Sequence, residues 1–306
     1  FPGGSPGAKG KPAAMLHTSF RHLPGVGPAF EAKLKERGIR TWAEALDRPL
    51  PCNAARAEEL RGLLRESQAR LADRDAAWFG ARLAPAEQWR LWPHFRHSAA
   101  CVDIETNGLY GEYVRITTIA LYDGAQTRLY AQGGGARLSE RLDREVHALQ
   151  QFCDDILNYK LLVTWNGRCF DVPILRQELG VFMNMAGSKN RPECGGRGAC
   201  ALGEPDRQGG SCMAHLDLRP VFRALGLRGG LKLVERRLGL DRGDVAGLDG
   251  WDAVRLWQRY EFYDDLRALR TLLDYNAADV TGLEYLAEYA VAAYGEEDGG
   301  AGTKMG

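Results

Sequence analysis

No apolar run in this chain approaches the ~20 residues that a helix needs to span a bilayer. Neither sign of charge dominates, because forty basic residues are balanced by forty acidic ones. The first absence excludes a helical membrane span. The second excludes an overall field that would draw a polyanion or a membrane surface, so any such contact has to come from a local patch. Cysteine is scarce: seven residues, an odd number, are spread through 306 positions, which argues against a disulfide framework. No Cys-x2-Cys pair occurs, and no internal repeat is visible. The first residues, Phe1-Pro2-Gly3-Gly4-Ser5, lack the apolar core of a signal peptide, so a cytoplasmic location is the expectation.

What is present falls into blocks. Residues 1–15 are rich in Gly, Pro and Lys and read as a disordered tail. Residues 16–83 are dominated by Ala, Leu, Glu and Arg without strand-like alternation, the pattern of a small all-α module. From 84 to 295 the pattern is mixed. Strands are predicted at 99–104, 114–122 and 126–131, then a helix at 138–157, a strand at 160–165 and a helix from 172. This order describes an α/β layer fold, a mixed sheet flanked by helices. The stretch 218–294 is mostly helical, and 296–306 reads as a tail. A Cys- and Gly-rich insert at 185–213 carries Cys194, Cys200 and Cys212, with His215 nearby. It has the inventory of a zinc site without the usual knuckle spacing, and a loop with incidental thiols is preferred.

Four acids stand out. Asp103 and Glu105 end a predicted strand, and residues two apart on a strand share a face. Asp171 follows the strand at 160–165 after a short Gly-containing loop, at the start of a helix, where the helix dipole favours a carboxylate. Asp279 lies on the last long helix, one turn after Tyr275, so phenol and carboxylate share a helix face. A fold that gathers such acids leaves them unable to stay ionised together without a counter-charge. Hard divalent cations with oxygen ligands supply one.

Three stretches, Val102-Asp-Ile-Glu-Thr-Asn-Gly-Leu109, Leu162-Val-Thr-Trp-Asn-Gly-Arg-Cys-Phe-Asp171 and Tyr275-Asn-Ala-Ala-Asp-Val280, occur in this order. Together they resemble the motifs of the DnaQ-like (DEDD) 3′–5′ exonuclease superfamily, in its tyrosine subgroup. The stretches Gly229-Gly-Leu-Lys232 and Leu248-Asp-Gly-Trp-Asp-Ala-Val-Arg-Leu-Trp257 bring it nearest to the YprB-like exonuclease family. The resemblance implies a ribonuclease-H-like fold and a metal-dependent 3′–5′ exonuclease acting by a two-metal mechanism, with Mg²⁺ or Mn²⁺ as cofactor. It implies that Asp103, Glu105 and Asp279 hold the first ion and that Asp103 bridges to a second, whose waters Asp171 holds. Tyr275, whose phenol ordinarily titrates near ~10, orients the attacking water.

Secondary candidates surround these acids. Trp165 and Asn166 either touch the terminal nucleotide or serve as strand-end core and turn residue. Lys232 opens a helix after Gly229-Gly230, a place suited to phosphate as well as to an ordinary surface helix. His215 and Asp217 read as structural, a polar hairpin-and-helix junction. At the N-terminus, Leu23-Pro-Gly-Val-Gly27 followed by Pro28 resembles a helix-hairpin-helix. There Gly25 and Gly27 would let backbone N–H groups approach a phosphate, with Lys33 and Lys35 beside them. DNA is the favoured partner. An RNA-trimming exonuclease and a non-catalytic nucleic-acid-binding protein on the same fold are the rivals.

Overall fold

The computed structural model describes residues 16–133, 148–185 and 213–299, the side chains at 180–185 and 296–299 aside. The expected N-terminal tail, most of the Cys-rich insert with Cys194, Cys200 and Cys212, the first part of the helix predicted at 138–157 and the end of the C-terminal tail lie outside these residues.

The chain begins with helices. A 3-10 turn at Leu16–Thr18 precedes α1 (Pro28–Glu36), α2 (Trp42–Asp47), α3 (Ala54–Ala72) and α4 (Ala76–Gly80). Their starts follow from local chemistry. Proline occupies the first turn of α1, where its missing N–H costs nothing. Thr41 and Glu44 form a capping box at α2, and Asn53 caps α3. The hairpin before α1 is held from inside: buried Glu31 accepts from the Phe20 amide at 2.8 Å, and the Trp42 indole donates to the Ser19 carbonyl at 2.7 Å.

A 3-10 segment (Pro85–Leu91) and α5 (Trp92–Phe95) lead into the sheet. Its strands are β1 (Ala99–Thr106), β2 (Ile116–Tyr122), β3 (Thr127–Ala131), β4 (Leu161–Thr164) and β5 (Ala214–Asp217). The helices are α6 (described over 148–156), α7 (Asp171–Met185), α8 (Leu218–Ala224), α9 (Leu231–Arg237), α10 (Gly250–Tyr263) and α11 (Leu266–Gly299). The sheet order is β3-β2-β1-β4-β5. The pairs β1–β2 and β2–β3 are antiparallel, and β1–β4 and β4–β5 are parallel. The mixed α/β sheet predicted from the sequence is therefore present.

Alternation along β1 decides what each face holds. Ala100, Val102 and Ile104 pack with α6 and α7 in one apolar cluster. Ala99 and Cys101 belong to another, with Val280, Leu283 and Leu286 of α11. Asp103 and Glu105 continue the second row, as the period of two requires. That row's cluster also runs without a break into the N-terminal helices, through Trp89, Trp92, Phe79 and Trp42. Trp89 stacks on Tyr294 at 4.6 Å, joining the entrance of the sheet to the far end of α11.

Two expectations are corrected. Residues 214–217 form a parallel edge strand rather than a polar junction, since His215 is buried with its ring against the Thr164 hydroxyl at 2.8 Å. The last helix continues to Gly299, into the segment expected to be a tail.

Candidate metal centre

Strands β1 and β4 run parallel, β1 continuing past the end of β4, and the cleft beyond the carboxyl ends of such strands is where α/β sheets place ligands. Asp103 and Glu105 reach it from β1, and Asp279 reaches it from α11. One carboxylate oxygen from each lies within 4.8 Å of the others. Asp171 is the first residue of α7. It is buried and accepts from the Ile104 amide at 3.3 Å, so it stands against the same strand, next to this triad. Tyr275 lines the same cleft, whose volume is about 980 Å³. Gly108 lets the chain leave β1 at this point. Its φ is +77°, and a Cβ there would meet the Val254 side chain at 2.9 Å.

The electrostatics follow from crowding. Burial pushes the Glu105 carboxyl up to about 8, with Asp279 adding to the rise. Asp171 is pushed up to about 7, again chiefly by burial, although its own amide and that of Ile104 oppose it. Asp103 is raised well above the carboxylate range by burial and by Asp279, Asp171 and Glu105. Asp279 is raised by burial, while Arg242 and Lys232 pull it down. Such a set is strained as bare charge and fits a hard cation, because all its donors are carboxylate oxygens.

The surroundings hold the acids in place. Asn276, fully buried, donates to Asp103 Oδ2 at 2.7 Å and accepts from the Thr118 hydroxyl at 3.0 Å. Arg242 bridges Asp279 to Glu235, with Nε 2.7 Å from Glu235 Oε2. Glu235 in turn rests against Gly282, one turn beyond Asp279, where a side chain would collide with it. The Lys232 ammonium sits 3.6 Å from the centre of the Tyr275 ring, a cation–π placement. Burial lowers the Lys232 pKa against the pull of Asp279.

Of the residues singled out in the sequence, Asp103, Glu105, Asp171, Tyr275, Asp279 and Lys232 share this cleft, and Trp165 and Asn166 line it too. Trp165 packs on Phe222 at 5.6 Å. Asn166 has a left-handed backbone (φ 64°) and accepts from Arg219, so each combines a structural contact with a position on the wall. Asp217 is structural as expected, accepting from the amides of Asn166, Arg168 and Arg219. Gly25, Gly27, Lys33 and Lys35 are not part of the cleft; they belong to the N-terminal hairpin and α1. Gly25 is exposed with φ +72°. Sequence reasoning missed Asn276, Arg242 and the exposed aromatics Tyr110, Phe170 and Trp251 at the cleft wall. Asn276, Phe170 and Trp251 carried a signal, their places inside the resembling stretches, whereas Arg242 and Tyr110 carried none.

Asp103 and Glu105 stand on β1, the central strand of the mixed sheet, and α7 and α11 bring Asp171 and Asp279 to them. The fold is RNase H-like. The family model RNase_H_2, described as RNase_H superfamily, matches residues 100–291. The chain belongs to the RNase_H superfamily. A family B DNA polymerase from the hyperthermophilic archaeon Pyrobaculum calidifontis is among the similar solved structures, with TM-score 0.43 and 17% identity. The match covers 62% of this chain and 24% of the polymerase. No curated protein matches the chain. Among the described residues no helix is long and apolar enough to cross a membrane.

Proposed function

We propose that this chain is a metal-dependent 3′–5′ exonuclease of the DnaQ-like (DEDD) tyrosine subgroup, nearest the YprB-like family, that hydrolyses phosphodiester bonds with DNA favoured over RNA. The observation that carries the reading is the convergence of Asp103, Glu105 and Asp279 to within 4.8 Å, beside Asp171 and Tyr275 in one cleft.

The roles follow from position. Asp103, Glu105 and Asp279 would hold one Mg²⁺ or Mn²⁺, and Asp171 together with Asp103 a second. When bound, such a pair makes water a nucleophile at neutral pH and offsets charge on the leaving 3′ oxygen. Asn276 fixes the Asp103 carboxylate, and Arg242 fixes that of Asp279. Tyr275 orients the water, and the ammonium over its ring keeps the phenol in place. The exposed rings of Tyr110, Phe170 and Trp251 offer bases a sequence-tolerant surface to stack on. In the N-terminal module Gly25 and Gly27, with Lys33 and Lys35, would add a phosphate contact remote from the chemistry.

The reading is tested with Asp103→Ala, Glu105→Ala, Asp171→Ala and Asp279→Ala in a Mn²⁺-dependent cleavage assay. Each is expected to lose nearly all activity with its circular dichroism spectrum retained, whereas Tyr275→Phe should be slow but still bind metal. Full activity in any two of the four would contradict it.

A further inference from the structure

Charge is balanced over the whole chain but not between Leu218 and Arg237. Six basic residues lie there with a single acid, Glu235, and that acid is buried against Arg242. Arg219, Arg223, Arg228, Arg236 and Arg237 are all exposed. None of them makes an ion pair with a described residue. Exposed arginines elsewhere are of both kinds: Arg65 pairs with Glu58 and Arg255 with Asp252, whereas Arg37, Arg40, Arg267 and Arg270 make no ion pair among the described residues. What sets this stretch apart is the concentration of such groups. Five exposed guanidinium groups without an acidic partner among the described residues, within twenty positions, raise the positive potential there.

The placement connects this patch to the cleft. Arg219 and Lys232 both line the cleft. Arg223 stands one helical turn beyond Arg219 on α8, and Arg236 one turn beyond Lys232 on α9, so each pair shares a helix face. The loop between the two helices is drawn in as well, since the Arg237 guanidinium donates to the Arg228 carbonyl at 3.2 Å. Each helix therefore carries one basic residue at the cleft wall and a second one turn further along the same face. Arginine suits phosphate oxygens better than any other side chain, through its planar fork of donors.

We propose that this arginine face of α8 and α9 is a binding site for the phosphate backbone of a nucleic-acid strand whose end occupies the cleft. The inference rests on the nucleic-acid reading of the cleft and adds a site where affinity, rather than chemistry, resides. Recognition there is of phosphate and independent of sequence.

The test is the salt dependence of binding to a long single-stranded oligonucleotide without divalent ions, so that cleavage plays no part. Each phosphate contact on a single strand contributes about 0.7 to the slope of log K against log salt concentration. Arg223→Ala/Arg236→Ala/Arg237→Ala is therefore expected to flatten the slope by about 2. Arg223→Lys/Arg236→Lys/Arg237→Lys should keep it, and the control Arg65→Ala/Arg70→Ala/Arg259→Ala should leave it as in the wild type. A wild-type slope in the first variant overturns the proposal, as does a wild type that binds no strand. If the alanine variant does not fold, hydrogen exchange of the wild type decides. Protection of α8 and α9 amides on adding the oligonucleotide supports the site, and its absence overturns it. Strong binding through this face by a protein that cleaves nothing would refute only the exonuclease reading.

Discussion

The Asn276 side-chain amide donates to the Asp103 carboxylate at 2.7 Å and so ties the last helix to the first strand where the acids converge. Groups that orient a metal ligand commonly cost 10–100-fold in metal affinity when removed. Asn276→Leu is accordingly expected to weaken Mn²⁺ binding about 10–100-fold by calorimetry. It should also cost stability, because the buried Thr118 hydroxyl loses its acceptor. Wild-type Mn²⁺ affinity in this variant would refute the positioning role.

Arg242 is the buried counter-charge shared by Glu235 and Asp279. Deleting one member of a buried ion cluster leaves uncompensated charge and costs about 3–5 kcal/mol. Arg242→Met should show a loss of that size in urea unfolding without metal. Adding Glu235→Gln should return part of it, as partners in one network are not additive. A loss under about 1 kcal/mol would mean that the cluster is already neutralised by protons.

The raised carboxyls make a signed prediction about pH. Unfolded carboxyls titrate near ~4. In the folded, metal-free protein Glu105 titrates at about 8 and Asp171 at about 7. Their protonated forms stabilise the metal-free fold at low pH, and that contribution is lost as pH rises through the folded values. A bound cation displaces those protons, so metal stabilisation grows with pH. The rise in Tm on adding Mn²⁺ should be larger near pH ~8 than near pH ~5, and Asp103→Asn should raise Tm of the metal-free protein at the higher pH. A larger Mn²⁺ effect at the lower pH would contradict this.

How far the site was legible depends on how local its signals are. Asp103 and Glu105 are two apart on a strand bounded by apolar residues, and Tyr275 and Asp279 are one helical turn apart, so pattern alone exposes them. Arg242 and Asp279 are 37 residues apart, and Asn276 and Asp103 are 173 apart. Nothing in either neighbourhood announces the partner, because folding alone creates the pairing. The edge strand β5 was missed because His215 and Asp217 look polar, yet each is satisfied internally, by Thr164 and by three backbone amides. Nor does composition reveal that the N-terminal helices share one apolar cluster with the sheet; Trp89 reaching Tyr294 is a contact across most of the chain.

The central claim, removal of nucleotides from a 3′ end by metal ions that Asp103 holds, is tested most directly by digesting a single strand labelled at either end, with and without Mn²⁺. The wild type with Mn²⁺ should shorten a 5′-labelled strand into a ladder and release a 3′ label at once as a mononucleotide, and neither should occur without Mn²⁺ or with Asp103→Asn. Release of the 5′ label first, internal cuts without a ladder, or undiminished cleavage by Asp103→Asn would contradict it.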